Sequence, residues 1–233
     1  MSEPSAVSES PVTPESRRLL TATLIAGIVA AGLGLLIFSW LGREVLEGLP
    51  LASDDRFRNA IHGHASPQLT RIMLAASFYG GPSWLIPLGI LLAIAFFIHG
   101  WHRGALLVVI TLGGAALLNG LLKQGFARPR PAPFFDYPLP SSASFPSGHA
   151  FFAASFLGGL AVLATARVGS MALRIAIWCV ALLLVLLIGL SRVYLGVHYP
   201  SDVFAGYAVA VVWVAAVALG DRIASHRLTR RRS

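Results

Sequence analysis

Eight side chains in this sequence have types and spacings that suit chemistry on an anion. Lys123 is the only lysine in the chain, and Arg130 follows it seven positions later. Ser147, Gly148 and His149 stand together after Pro146, and Arg192, His198 and Asp202 follow within one short stretch. Three cations, Lys123, Arg130 and Arg192, can hold the oxygens of a phosphate, Arg as a planar fork and Lys as a point charge. Pro146 and Ser147 suit a helix start, whose free N–H groups bind anions, and Gly148 lets the backbone come close. His198 and Asp202 are four apart, so one helical turn sets them on one face. A carboxylate on one imidazole nitrogen fixes the tautomer and frees the other nitrogen as a nucleophile. His149 is then available as the acid for a leaving oxygen. A helix N-terminus opposes its protonation and a bound phosphate dianion favours it, and the sequence does not rank the two. The chemistry this set serves is phosphoryl transfer, with accumulated positive charge stabilising the transition state.

The elements that must position these groups are membrane helices. The 233 residues are 56% hydrophobic and 12% charged, about half the charged fraction of a soluble domain. Six segments are apolar and long enough, or nearly so, to cross a bilayer: about 19–41, 72–98, 103–122, 148–166, 173–190 and 203–220. Gly80, Gly81, Pro82 and Pro87 kink the second or delay its start to near Ser83. The reading is an all-α, integral membrane six-helix bundle with a short extracytoplasmic interfacial helix. That helix falls in 42–71, where Phe57, Ile61, Ala65 and Leu69 recur every four residues across an interruption at Pro67. Residues 1–16, rich in Ser, Pro and Glu with three acids and no base, read as a disordered cytoplasmic tail rather than a signal peptide. Residues 17–222 form the six-span domain, and 223–233 a basic cytoplasmic tail.

With six spans both termini share one side. Placing them in the cytoplasm puts ten arginines there and eight basic residues opposite, of which Lys123, Arg130 and Arg192 belong to the chemistry. All the reactive positions then gather at the extracytoplasmic face. The net charge of +8 does not point to nucleic acid, because the basic residues end apolar runs instead of forming a patch. One cysteine, Cys179, allows neither an internal disulfide nor a cysteine metal site.

Other polar groups take bland readings. His62 and His64 lack partners at metal-ligand spacing and read as exposed loop histidines. His99 and His102 are interfacial, and Asp136 and Tyr137 face water. Trp40, Trp84, Trp101, Trp178 and Trp213 read as an aromatic belt at span ends.

The three motifs resemble those of the type 2 phosphatidic acid phosphatase superfamily, which includes bacterial phosphatidylglycerophosphate and undecaprenyl-diphosphate phosphatases. The family pattern is K-x6-R-P, P-S-G-H and S-R-x5-H-x3-D. Here these are KQGFARPRP from Lys123 to Pro131, PSGH at 146–149, and SRVYLGVHYPSD from Ser191 to Asp202. All eleven fixed positions match in order. Arg128-Pro129 is a second Arg-Pro pair, and the six-residue gap selects Arg130, leaving Arg128 to an accessory contact.

The resemblance implies a lipid phosphatase of the bacterial inner membrane with its active site at the outer face. It implies a phosphohistidine on His198, His149 and Asp202 as the other catalytic residues, and no cofactor or metal. Phosphate binding falls to Lys123, Arg130, Ser147, Gly148 and Arg192, with His149. The substrate is a lipid phosphate or diphosphate, such as phosphatidylglycerol phosphate, undecaprenyl diphosphate or phosphatidic acid, reached from the bilayer. Two alternatives stand beside hydrolysis. The same intermediate could pass phosphate to another lipid or sugar hydroxyl. A transporter without chemistry is the other, disfavoured because the spans between the motifs carry no charge at the midplane. Vanadium haloperoxidases share the motifs but are soluble, which the apolar spans oppose. The sequence is silent on the oligomeric state and on which lipid is the substrate.

Overall fold

The computed structural model describes residues 14–48 and 52–230, which hold eight helices and no strand. In chain order these are α1 Pro14–Leu46, α2 Ala52–His62, α3 Pro67–Tyr79, α4 Pro82–Ile98, α5 His102–Phe126, α6 Gly148–Thr165, α7 Met171–Tyr194 and α8 Pro200–Arg230. Five helices carry stretches long and apolar enough to cross a membrane: Leu24–Leu46, α5, α6, α7 and Pro200–Ser225. The pair α3 and α4, bent by 48° at its break, makes a sixth when the two are counted as one span.

The break has local causes. Gly80 ends α3 by donating its N–H to Ala76, and Gly81, extended at ψ 155°, opens α4 just before Pro82. Proline suits a first helical position, where its missing N–H costs no bond. A Cβ on Gly80 would stand 2.6 Å from Ile188 Cγ2, so only glycine lets the elbow press this closely on α7. The second expected span is therefore two helices, with the elbow turned toward the residues discussed below.

Segment 42–71 also differs from the expected surface helix. α2 stops at His62, and Pro67 begins α3 behind Ser66, whose hydroxyl accepts from Leu69 N–H at 3.3 Å. The apolar spacing does not mark the buried face of α2. Phe57 is 59% exposed, whereas Asp54 and Arg58 are buried. Their polar partners on the facing loop, described below, outweigh the pull of the apolar stripe.

The bundle is assembled around α6, which packs against α5, α7 and α8, while α1 lies along α8 and α4 along α5. Phe151, Phe152 and Phe156 of α6 fill the centre with Leu85, Val108, Leu112, Ile188 and Val209. Small residues let backbones approach: a Cβ on Gly206 would be 2.8 Å from the Ser147 carbonyl, and one on Gly34 2.9 Å from the Ala208 carbonyl. Gly206 thus holds the start of α6 against α8. Trp213 is not a belt residue; its indole N–H donates to the Thr111 carbonyl at 2.9 Å between α8 and α5. Trp40, Trp84 and Trp178 are about half exposed, and Trp101 is covered by Arg167, 3.5 Å above its ring.

The C-terminal ends of α1, α5 and α7 and the N-terminal ends of α6 and α8 meet at one end of the bundle. Leu41 and Phe126 pack there with Phe145 and Ala205. The opposite end carries the bidentate Arg103–Asp221 pair at 2.6 and 2.7 Å. The expected tail 1–16 lies outside the described residues up to residue 13. α8 runs past the expected boundary at 222 without a break to Arg230.

Candidate active site

Each reactive side chain is carried by a helix end or by the chain leaving one. α5 ends when Ala127 takes a left-handed φ of 46°, and the chain then crosses the end of the bundle. This loop passes Arg128 and Arg130 and returns through Ser142–Pro146 to the start of α6. It is anchored by Ser144 N–H to the Arg128 carbonyl at 2.8 Å and Ser147 N–H to the Asp202 carbonyl at 2.9 Å. It is also tied to the far side of the site by Phe134 N–H to the Leu195 carbonyl at 2.9 Å. There Gly196, at φ 76°, leaves no room for a Cβ, which would meet Phe134 N at 2.6 Å.

His198 and Asp202 are 2% and 0% exposed. Nδ1 of His198 lies 3.3 Å from Oδ2 of Asp202, and Nε2 lies 2.9 Å from an Nη1 of Arg130. A guanidinium can only donate, so Nε2 holds the lone pair and Nδ1 the proton. Burial chiefly, and then the nearby arginines against the opposing pull of Asp202, hold the His198 imidazole down at about 4. It is therefore neutral at physiological pH and presents Nε2 as a nucleophile. Asp202 Oδ2 also accepts from the Ser144 hydroxyl and from Tyr199 N–H at 2.9 Å, and Oδ1 accepts from Arg128 at 2.6 Å.

Three cations gather at this end of the bundle with His198, Arg130 touching its Nε2, and among the described residues none of the three makes an ion pair with a carboxylate. Lys123 donates to the Ala143 carbonyl. Arg130 donates to the carbonyls of Ser142, Ala143 and Val197 at 2.8, 3.2 and 2.8 Å. Arg192, 1% exposed, donates to the Ser77 hydroxyl and at 3.4 Å to the Tyr137 hydroxyl. Burial first, and then Arg192, bring the Arg130 guanidinium down to about 10. Their direct partners are neutral acceptors, and Asp202 alone of the nearby acids acts on Lys123 and Arg130, so the three positive charges outnumber it, as an anion site requires.

At the start of α6, Ser147 is fully buried and its hydroxyl has no partner among the described residues; it makes no side-chain cap. The first N–H groups of α6 are thus left for an acceptor. His149 stands one residue into the helix against the α3–α4 elbow, where a Cβ on Gly81 would be 3.0 Å from its Nε2. Its charged neighbours are Arg192, His198 and Arg130. All eight residues singled out in the sequence therefore meet at one end of the bundle.

Several participants escape the sequence. Ser77 and Gly81 enter through the elbow, and their only sequence signal is the Gly80-Gly81-Pro82 break. Tyr137 does not simply face water. It is half-buried over Arg192, 5.5 Å from the guanidinium carbon, and bonds Ser77 at 3.3 Å. Burial alone would push the Tyr137 phenol up, but Ser77 and Arg192 bring it below its ordinary value. Asp136 is exposed, as expected. His62 is not a loop histidine but the last residue of α2, stacked on Phe134 with ring centroids 3.9 Å apart; His64 is exposed. Arg128 faces inward between two carboxylates, Asp202 and Asp54, at 2.6 and 3.0 Å. Burial lowers it, but the two acids outweigh that and raise it above the ordinary guanidinium.

The family model for the PAP2 superfamily matches residues 104–222, which span all three motifs. Phosphatidylglycerophosphatase B of Bacillus subtilis is 29% identical over 178 residues, covering 76% of this chain and 87% of that protein. A lipid A 1-phosphatase of Rhizobium etli is 34% identical over 156 residues, 56% of this chain and 62% of that one. The crystal structure of a transmembrane PAP2 type phosphatidylglycerolphosphate phosphatase from Bacillus subtilis superposes with a TM-score of 0.74 at 28% identity. It covers 82% of this chain and 96% of that one.

Proposed function

Because this chain belongs to the PAP2 superfamily and is a membrane lipid phosphatase of that type, we propose that His198 is the nucleophile of a two-step hydrolysis. Nε2 of His198 attacks phosphorus, and the bond to the lipid oxygen breaks. His149 gives that oxygen its proton, releasing the lipid alcohol. Water then attacks the phosphohistidine with His149 as base, releasing phosphate and restoring both imidazoles. Asp202 holds the Nδ1 proton and stabilises the positive charge that forms on the phosphorylated ring.

The observation that carries this reading is the set of three cations, resting on neutral acceptors, at one end of the bundle with an unprotonated and carboxylate-backed imidazole nitrogen. Lys123, Arg130 and Arg192 exchange carbonyl and hydroxyl partners for phosphate oxygens, joined by the Ser147 hydroxyl and the N–H groups of Gly148 and His149. Fixed charge placed where the transition state gains it lowers the barrier without reorganisation. No step requires a metal ion.

The site end of the bundle is the extracytoplasmic face of the bacterial inner membrane, since the opposite end carries more of the arginines not used in chemistry. The elbow between α3 and α4 opens toward the bilayer, from which a lipid phosphate reaches Arg192 and His149. Phosphatidylglycerol phosphate is the first substrate to assay, because the relative bearing that name aligns over most of its length. Undecaprenyl diphosphate and phosphatidic acid complete the panel. Purified protein in detergent is expected to release inorganic phosphate from at least one of them at an undiminished rate in excess chelator. Loss of turnover on chelation contradicts the mechanism.

The pH dependence follows from His198 and His149. Above about 4 the imidazole is neutral, so nucleophile is available; below it, protonation removes the lone pair. Arg130 keeps its charge across the working range, because a guanidinium does not give up its proton there. After correction for the substrate's own ionisation, kcat/KM is expected to rise through about pH 4 and to fall on the basic side where His149 loses the proton that the leaving oxygen needs. An acid limb centred on the ordinary histidine value contradicts the buried, neutral His198.

A further inference from the structure

α2 lies between two membrane helices in sequence, yet its inner face is polar and closed over the site. Asp54 is 4% exposed and accepts three bonds from outside its own helix. These come from Arg128 at 3.0 Å, from Ser201 N–H at 3.0 Å and from the Ser201 hydroxyl at 2.5 Å. One turn on, Arg58 donates to the Ala132 carbonyl at 2.7 Å and lies over Phe134, 4.7 Å from the ring centroid. Arg128 in turn spans Asp54, the Ser201 hydroxyl at 2.8 Å and Asp202 at 2.6 Å, with Tyr199 packed 4.1 Å from its guanidinium carbon.

The bonds on Asp202 are divided. Oδ1 belongs to Arg128, while Oδ2 takes His198 Nδ1, the Ser144 hydroxyl and Tyr199 N–H. Arg128 therefore fixes the rotation of the carboxylate, and with it the oxygen offered to the imidazole. A lone guanidinium this close would also draw the carboxylate's charge away from His198. Asp54 supplies a compensating charge, so that Asp54, Arg128 and Asp202 sum to one negative charge behind the ring. A buried charge trio is a poor source of stability, but it is a precise means of orientation.

We propose that Asp54 and Arg128 are positioning residues, acting in series through Asp202 to hold His198 Nε2 in line for phosphorus. The proposal rests on His198 as the nucleophile. It makes α2 a working part of the site: release of its inner face slackens the nucleophile without removing any phosphate ligand.

Asp54→Asn, Arg128→Gln and the double variant test this in purified full-length protein, alongside Lys123→Ala. Removing a residue that orients a reacting group commonly costs about 10- to 100-fold; kcat is expected to fall by about that factor in each single variant with KM within about twofold, whereas Lys123→Ala raises KM. Residues acting in series give non-additive losses, so the double variant is expected to match Arg128→Gln alone.

Binding of inorganic vanadate, a mimic of the five-coordinate transition state, is read in parallel without any lipid. It is expected to weaken by the same factor in both single variants and to fall in His198→Ala to the affinity of phosphate itself. Thermal midpoints in detergent separate these effects from misfolding, and Asp54→Asn, which keeps shape, decides alone if Arg128→Gln does not fold. Wild-type kcat and vanadate affinity in Asp54→Asn overturn the proposal, as do multiplicative losses in the double variant or a rise in KM matching that of Lys123→Ala. A wild-type protein that hydrolyses none of the panel refutes the hydrolytic reading instead. Asp54-dependent vanadate binding would then still uphold the relay.

Discussion

Replacing His198 with alanine is expected to reduce phosphate release by about 10^4-fold or more, the scale seen when a catalytic nucleophile is removed. The remaining groups still bind phosphate, so the variant is expected to keep its affinity for lipid phosphate or for product. The fold should survive, because Asp202 keeps the Ser144 hydroxyl, Tyr199 N–H and Arg128 as donors after the imidazole is gone. Steady-state release of phosphate, read with the thermal midpoint and with product inhibition, separates loss of chemistry from loss of structure. Appreciable turnover with the fold intact would mean that water attacks phosphorus directly, and that the three cations suffice.

Asp202→Asn is the second large effect, expected at about 10^3- to 10^4-fold in kcat by analogy with removal of the orienting carboxylate from a catalytic triad. Asparagine fits the space but can turn its NH2 toward Nδ1. The imidazole would then keep its proton on Nε2, where it would face the donor on Arg130 now 2.9 Å away. The nucleophilic lone pair would point at the wrong neighbour. Arg128 would lose one of its two carboxylates, so a lower thermal midpoint is expected as well. Because the phosphate ligands are untouched, KM should change little. A variant with nearly normal kcat would show that tautomer control lies elsewhere, with the Ser144 hydroxyl at 3.4 Å from Nδ1 the next candidate.

The parts legible in the sequence are those whose physics is local. Apolar runs name spans because a bilayer demands about 20 apolar residues wherever they occur. The His198–Asp202 pair is legible from its spacing of four, although His198 lies in the turn before α8 and Asp202 in its first turn, so the two meet across the helix start and not along one helical face. Lys123, Arg130, Ser147, Gly148, His149 and Arg192 are legible because cations and a small-residue helix start are out of place in apolar surroundings. The remainder depends on pairing across long sequence separations. Nothing local distinguishes Asp54 from its exposed neighbour Asp55; only the approach of Arg128 and Ser201 turns one inward. Arg128 itself reads as a duplicate of Arg130 until the two acids that hold it are seen. The periodicity of Phe57, Ile61, Ala65 and Leu69 misled for the same reason: α2 buries its polar face. Tyr137 lies in a loop, where sequence periodicity carries no directional information, and Ser77 reads as one more small residue near the end of α3; they meet through a bond to each other and bonds from Arg192.

The substrate's route shares that dependence. Phe78, Tyr79 and Trp84 are exposed around the elbow, their rings 5.2 to 5.7 Å apart, while Ser77 and Gly81 on the same stretch face Arg192 and His149. A single bend thus leaves aromatic surface exposed on one side and turns polar residues to the site on the other. Aromatic side chains of this kind sit at the level of lipid headgroups, which is where a lipid phosphate would approach.

The central claim is a covalent bond between phosphorus and Nε2 of His198, and rapid quenching tests it most directly. The purified protein is mixed for milliseconds with a lipid phosphate labelled at phosphorus, denatured in alkali, in which phosphohistidine survives, and digested for mass spectrometry. The expected result is label on the peptide containing His198, lost on brief acid treatment and absent from His198→Ala. Label on any other residue, or turnover with no trapped phosphoprotein in wild type and in a His149 variant given an aryl phosphate, whose leaving oxygen needs no proton, would contradict it.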